Sequence, residues 1–271
     1  LVVAVLNRFT HHLAVTTIKH PRRRTSGAIS AILTIAVFAI AAAALALHVQ
    51  QRRRGEALLR ADPDRVLANL ELRRTALEIG RPAFARRCAG CHGPRGGGDR
   101  LKATPDLGDD EYLYGSGKPD EIEQIVLYGI RAGLSRGKNL ASMPAYGRAK
   151  PYAGEPIPPL SPADLAAVTQ FVLALSGRST DREAATRGRL IYQGAGGCYD
   201  CHSGDGRGDP GIGAPNLADA VWLYGGSARS IAESITYGRA GICPAFATRI
   251  TPLEARAIAI YVASLSHDQQ S

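Results

Sequence analysis

Two copies of one five-residue pattern, Cys88-Ala89-Gly90-Cys91-His92 and Cys198-Tyr199-Asp200-Cys201-His202, stand 110 residues apart in this chain. A Cys-x-x-Cys-His run is the attachment site of a c-type haem: both thiols bond the vinyl groups and the His binds the iron. The competing reading is a redox dithiol or half of a zinc site. A zinc site wants paired elements converging on one ion, whereas here each Cys pair carries its own His. The chain is therefore expected to fold around two covalently bound haem c groups. Four of the five cysteines are consumed by the motifs, which leaves Cys243 alone and offers no structural disulfide.

The same spacing organises the rest of the chain. A shift of 110 sets Pro105-Asp106-Leu107 on Pro215-Asn216-Leu217 and Leu113-Tyr114-Gly115 on Leu223-Tyr224-Gly225. Tyr128-Gly129 meets Tyr237-Gly238. After an insertion near Leu134–Ala141, Met143-Pro144-Ala145 meets Cys243-Pro244-Ala245. Ser161-Pro162-Ala163-Asp164 and Thr251-Pro252-Leu253-Glu254 both read as helix starts with Pro at the first position. Each opens a helix with one apolar stripe: Leu165, Val168, Val172 and Leu175, then Ile258, Tyr261, Val262 and Leu265. A first helix in each repeat carries Gly80 and Phe84, or Gly188 and Tyr192. There the Gly admits the closing helix, and the aromatic is expected to pack against Phe171 or Tyr261. The predicted architecture is all-α, with an N-terminal transmembrane helix followed by two tandem class I cytochrome c domains. The expected division is a cytoplasmic basic tail (1–24), an anchor (25–51), a stalk (52–75), domain 1 (76–177) and domain 2 (183–267). A short polar linker spans Gly177–Arg187.

The net charge of +9 is unevenly placed. Residues 1–60 hold nine Lys and Arg against one acid, which leaves about +1 for the remainder. The high pI therefore describes the N-terminal region and argues for lipid headgroups as its partner, not nucleic acid. Thr25 to Gln51 contains no charged residue and is long enough to cross a hydrocarbon core of roughly 30 Å. A cleaved signal peptide is the alternative, but the apolar run exceeds the usual core of about 7–15 residues. Arg22-Arg23-Arg24 and Arg52-Arg53-Arg54 flank both ends, so charge does not set orientation. Covalent haem attachment resembles a process completed outside the cytoplasmic membrane. The expected location is the bacterial inner membrane, single-pass, with the haem domains in the periplasm.

The sixth ligands determine what each haem can do. Met143 is the only methionine in the chain and follows His92 by 51 residues, in a Met-Pro-Ala-Tyr run. It is the expected distal ligand of the first haem, and His/Met coordination raises the potential. In the second repeat the aligned residue is Cys243. Residues 183–271 contain no Met or Lys, and the only histidines there are His202 and His267. Either Cys243 binds the second iron, lowering its potential as thiolate, or that sixth position is open or held by water. Arg131 and Arg239 lead into the two distal loops and are candidates for pairing with haem propionates, with solvated surface arginine as the alternative.

Trp222-Leu223-Tyr224-Gly225-Gly226, Gly213-Ala214-Pro215-Asn216-Leu217, Tyr237-Gly238-Arg239 and Tyr261-Val262-Ala263-Ser264-Leu265-Ser266 resemble the dihaem subunit III (CcoP/FixP type) of cbb3 cytochrome c oxidases. The resemblance covers about residues 76–266. It implies an electron-transfer subunit, not itself an enzyme, that takes electrons from a periplasmic or membrane donor. Its implied partners are the haem-copper catalytic subunit and other cytochrome subunits. Carried across, Cys88, Cys91, His92 and Met143 hold one haem, and Cys198, Cys201 and His202 the other, with Cys243 where the family has its second distal Met. The stretch from Gly147 to Pro159 is longer than the resemblance leads one to expect. Two other functions fit the residues: an electron-accepting cytochrome of a periplasmic dehydrogenase, and a dihaem redox enzyme acting on a small sulfur compound at a His/Cys haem.

Overall fold

The computed structural model describes residues 25–153 and 156–267; the expected basic tail over 1–24 lies outside them. The chain divides into two units, residues 1–51 and 52–271. Helix α1 (Thr25–Arg60) opens the described chain. Its segment Ser30–Arg60 is long and apolar enough to cross a membrane, with a mean hydropathy of 2.5. Ile35, Phe38 and Ile40 on it stand 68%, 71% and 69% exposed.

The expected stalk, 52–75, is largely helical and contributes side chains to the packed core. Residues 52–60 continue α1, a 3-10 helix follows over Pro63–Ala68, and α2 (Leu70–Arg87) begins immediately after. Leu58 and Val66 are fully buried with Ala76, Ala257 and Ile260. Arg256 fixes this corner: its Nε meets Glu123 Oε2 at 2.5 Å and its Nη1 donates to the carbonyl of Ala61 at 2.9 Å.

The remaining helices are α3 (Ala89–His92), α4 (Pro119–Tyr128), α5 (Pro162–Leu175), α6 (Arg182–Gln193), α7 (Tyr199–His202), α8 (Ala228–Tyr237) and α9 (Pro252–His267). Local chemistry explains their starts. Ser161 Oγ accepts from Asp164 N at 3.1 Å to cap α5. Thr251 and Glu254 cap α9 reciprocally, Thr251 Oγ1 accepting from Glu254 N and Glu254 Oε2 accepting from Thr251 N, both at 3.1 Å. The polar linker is shorter than its composition suggests, because Asp181 already caps α6 by accepting from Ala184 N at 2.9 Å.

The helices pair across the repeats, not within them. The closing helix of the second repeat, α9, packs on α2 and α4 of the first, while α5 of the first packs on α6 and α8 of the second. Phe84 meets Tyr261 edge to face at 5.2 Å, and Tyr192 meets Phe171 at 4.9 Å. Each half of the haem unit therefore combines the motif segment of one repeat with the distal loop and closing helix of the other.

The exchange occurs where α4 and α8 end. Gly129 and Gly238 turn the chain at φ of +72° and +69°, and the departing segments run antiparallel. Ile130 N donates to Cys243 O at 2.9 Å, Cys243 N returns a bond to Ile130 O at 3.1 Å, and Met143 N donates to Arg239 O at 2.9 Å. A Cβ on Gly129 would stand 2.5 Å from Cys243 O, and one on Gly238 would strike Met143 O. Only glycine combines that φ with such an approach.

The crossed pairing has a direct thermodynamic signature. A double-mutant cycle on Phe84→Ala and Tyr261→Ala, read by denaturant unfolding of the full-length holoprotein, is expected to give a coupling of about 1 kcal/mol. The Phe84–Phe171 cycle is expected to give none.

Candidate haem sites

The two motifs are built alike. Cys88 closes α2, its N–H bonded to Phe84 O at 2.8 Å, and His92 N bonds back to Cys88 O at 3.0 Å. The single turn α3 so formed places residues i, i+3 and i+4, namely Cys88, Cys91 and His92, on one face. Cys198, Cys201 and His202 repeat this on α7, with His202 N bonded to Cys198 O at 2.9 Å. Each motif is then enclosed by its own loop. Gly98 N donates to His92 O at 3.0 Å and Leu107 N to Gly96 O at 2.7 Å; Gly208 N and Leu217 N repeat these bonds at 2.9 and 2.6 Å.

The loops also settle the state of the histidines. Nδ1 of His92 lies 3.4 Å from Pro105 O, and Nδ1 of His202 lies 3.0 Å from Pro215 O. A carbonyl only accepts, so Nδ1 carries the proton and Nε2 keeps its lone pair. Burial lowers the pKa of both rings, the proline carbonyls only partly opposing it. A neutral imidazole, oriented through its other nitrogen, is the form that binds iron.

The distal residues divide as the helices do. Cys243 lies by the first motif. Burial pushes the Cys88 thiol up to about 11, with Cys243 and then Cys91 adding to the rise. Cys243 is raised likewise, by burial first and by Cys91 second. Met143 lies in the other half, against the buried cluster of Tyr146, Val168, Val172, Leu173, Ile231 and Ile235 on which Cys198, Leu217 and Trp222 also pack. Burial likewise raises the Cys198 thiol to about 11. The sequence grouped Met143 with Cys88, Cys91 and His92, and Cys243 with Cys198, Cys201 and His202; the structure brings together the opposite pairs.

Two further residues, not singled out from sequence, seat the distal segments. Tyr146 N donates to Ile235 O at 3.0 Å, and its hydroxyl donates to Gly196 O beside the second motif. Phe246 takes the matching place in the first half, its N–H donating to Val126 O at 3.1 Å. The repeated Met-Pro-Ala-Tyr and Cys-Pro-Ala-Phe runs were the available signal.

Arg131 ties the crossing together. Its Nε donates to Gly241 O at 2.6 Å, and its Nη1 donates to Ala141 O at 2.7 Å and to Tyr114 Oη at 2.9 Å. Arg239 Nε donates to Ser234 Oγ at 3.0 Å, and its guanidinium lies 4.3 Å from the centroid of the Tyr224 ring.

These donors suit a haem. Among the described residues no three His, Cys, Asp or Glu side chains converge on one metal ion, which disfavours the zinc alternative. Each motif instead presents two thiols and an imidazole with free Nε2, and each half brings one sulfur from the distal loop of the other repeat.

An all-helical haem unit with two such motifs, following an apolar helix, defines a dihaem c-type cytochrome. Residues 77–176 match the family described as Cytochrome c, and residues 183–262 match Cytochrome C oxidase, cbb3-type, subunit III. The chain is 39% identical over 202 residues to the cbb3-type cytochrome c oxidase subunit FixP of Azorhizobium caulinodans, covering 74% of this chain and 64% of that one. It is 35% identical over 222 residues to subunit CcoP of Rhodobacter capsulatus, covering 79% and 70%. With CcoP of Cereibacter sphaeroides it shares 33% over 208 residues, covering 77% and 67%. The chain belongs to the family of cbb3-type cytochrome c oxidase subunit III. Its matched part spans 64% and 60% of the FixP subunits of Azorhizobium caulinodans and of a Bradyrhizobium species. The two cytochrome c domains imply two haem c groups.

Proposed function

We propose that this chain is the membrane-anchored electron relay of a cbb3-type or related terminal oxidase. It would stand between a periplasmic or membrane donor and the haem-copper catalytic subunit, beside the other cytochrome subunits. A haem c supplies one-electron chemistry at its iron when bound; the chain's own residues hold it, orient its ligands and exclude water. Cys88 and Cys91 attach the first haem, Cys198 and Cys201 the second, with His92 and His202 as proximal ligands. Cys243 is the sixth ligand of the first haem and Met143 that of the second. Arg131 and Arg239 are assigned to the propionate side. Helix α1 anchors the subunit in the bacterial inner membrane through residues 25–51, with the haem repeats, 76–177 and 183–267, in the periplasm.

The observation that carries this reading is the joining of two haem sites in one packed unit by exchanged distal segments. Neither repeat completes a site alone, so both haem sites fall within one compact unit, which suits a relay.

The test is purification of the tagged full-length chain from the membranes of its own organism in mild detergent. A haem-copper subunit is expected to accompany it, and the preparation to reduce oxygen when supplied with a reductant. Recovery with a periplasmic dehydrogenase instead, and no oxygen uptake, would sink the oxidase assignment.

A further inference from the structure

We propose that the first haem, held by Cys88 and Cys91, is the lower-potential member of the pair, so that within this chain electrons run from the first haem to the second. This rests on the sixth ligands assigned above. It reverses the order that the repeat pattern implies, because that pattern gives Met143 to the first haem.

Two independent features of the chain point the same way. The first is the donor atom. A cysteine sulfur pushes electron density onto iron and favours the ferric state, whereas a methionine thioether favours the ferrous one. The Cys243 segment is bonded to Ile130 and, through Phe246, to Val126 in the half of the first motif, while the Met143 segment is bonded through Tyr146 to Ile235 and lies in the half of the second. The second is burial. His202 is only 8% exposed, while His92 is half-buried. A drier site penalises the more highly charged ferric centre, which raises the second potential further. Exposed charges pull in both directions. Asp106 stands by the first loop where the second has Asn216, but Asp200 and Asp205 stand by the second motif where the first has Gly90 and Arg95. Water screens such groups, so the ligand and the burial set the order.

The step is a single electron transfer. The ferrous first haem becomes ferric and the ferric second haem becomes ferrous, with both ligand sets retained and no proton or covalent bond changing hands. The external donor must then deliver to the first haem, and the acceptor must draw from the second.

A redox titration of the full-length holoprotein, followed optically and by low-temperature EPR, tests this. Two one-electron waves are expected, the lower one carrying a thiolate-type low-spin signal. In Cys243→Met the lower wave should rise towards the upper and the thiolate signal should vanish. In the Cys88→Ser/Cys91→Ser variant, which cannot attach the first haem, only the upper wave and a His/Met signal should remain. A thiolate signal surviving in that variant, or attached to the upper wave of the wild type, would overturn the proposed order while leaving Cys243 a ligand. Absence of any thiolate signal from the wild type would remove the ligand assignment itself, and the order with it. If the double variant does not accumulate, NMR of the reduced wild type decides. The upfield-shifted Met143 methyl should cross-relax with Trp222 and Leu217, and cross-relaxation with Leu107 instead would overturn the proposal.

Discussion

Replacing Gly80 or Gly188 by valine is expected to destabilise the haem unit more than any other single substitution in its core. A Cβ on Gly80 would fall on the carbonyl of Ala257, and one on Gly188 on the carbonyl of Ala167. Both obstacles are helix backbone, which no rotamer change can move. The helices would have to separate, and with them the Phe84–Tyr261 and Phe171–Tyr192 contacts that close each half. Overpacking of a side-chain core typically costs about 1–3 kcal/mol; a clash with backbone at a helix crossing belongs at or above the top of that range. Set against a total stability of about 5–15 kcal/mol, this removes much of the margin. At an exposed helical position the sign would be opposite, since glycine costs about 1 kcal/mol relative to alanine. Gly90, exposed in α3, provides the contrast: nothing lies within 4 Å of its missing Cβ, so Gly90→Ala should retain both haems and unfold at or slightly above the wild-type midpoint. Haem content after purification and the denaturant midpoint of the full-length chain are the measurements.

These two glycines also show how far the sequence could be read. Their spacing from Phe84 and Tyr192 identified both helix crossings, and the capped Ser161 and Thr251 runs identified both closing helices. What the sequence could not show is which closing helix belongs to which crossing. Ala257 with Tyr261 and Ala167 with Phe171 present the same small-then-aromatic face, so either helix satisfies either glycine. The choice is made by residues that carry no periodic pattern. Gly129 and Gly238 let the crossing segments approach, Arg131 ties Gly241 to Ala141, and Tyr114 packs its ring where a Cβ on Gly213 would be. The same ambiguity hid which half of the haem unit holds Met143 and which holds Cys243, because their alignment with each other is unaffected by the exchange. The packing of the stalk, 52–75, was hidden for a different reason. Its arginines and scattered leucines resemble a linker, and the burial of Leu58 and Val66 becomes evident only once α9 lies across them.

Loss of the Met143 thioether is expected to have the largest effect on electron transfer. Met143 is the only methionine in the chain, so no other thioether can replace it. Met143→Ala would combine two losses, because removing a partly buried methionine also costs up to about 2–5 kcal/mol of packing. Met143→Leu separates them. It conserves volume and should cost less than about 1.5 kcal/mol, yet it offers no lone pair to iron. The haem held by Cys198 and Cys201 is expected to become high-spin and to lose its sulfur-to-iron charge-transfer absorption. Its potential should fall, and each drop of about 60 mV is tenfold in a one-electron equilibrium. The step that loads this haem from the first would become less favourable by that factor in equilibrium and would slow. The thiolate-type signal of the haem held by Cys88 and Cys91 should be untouched. If Met143→Leu altered the first haem and spared the second, Met143 would belong to the motif of its own repeat. The exchange of distal segments would then be wrong at the one point where it governs the chemistry.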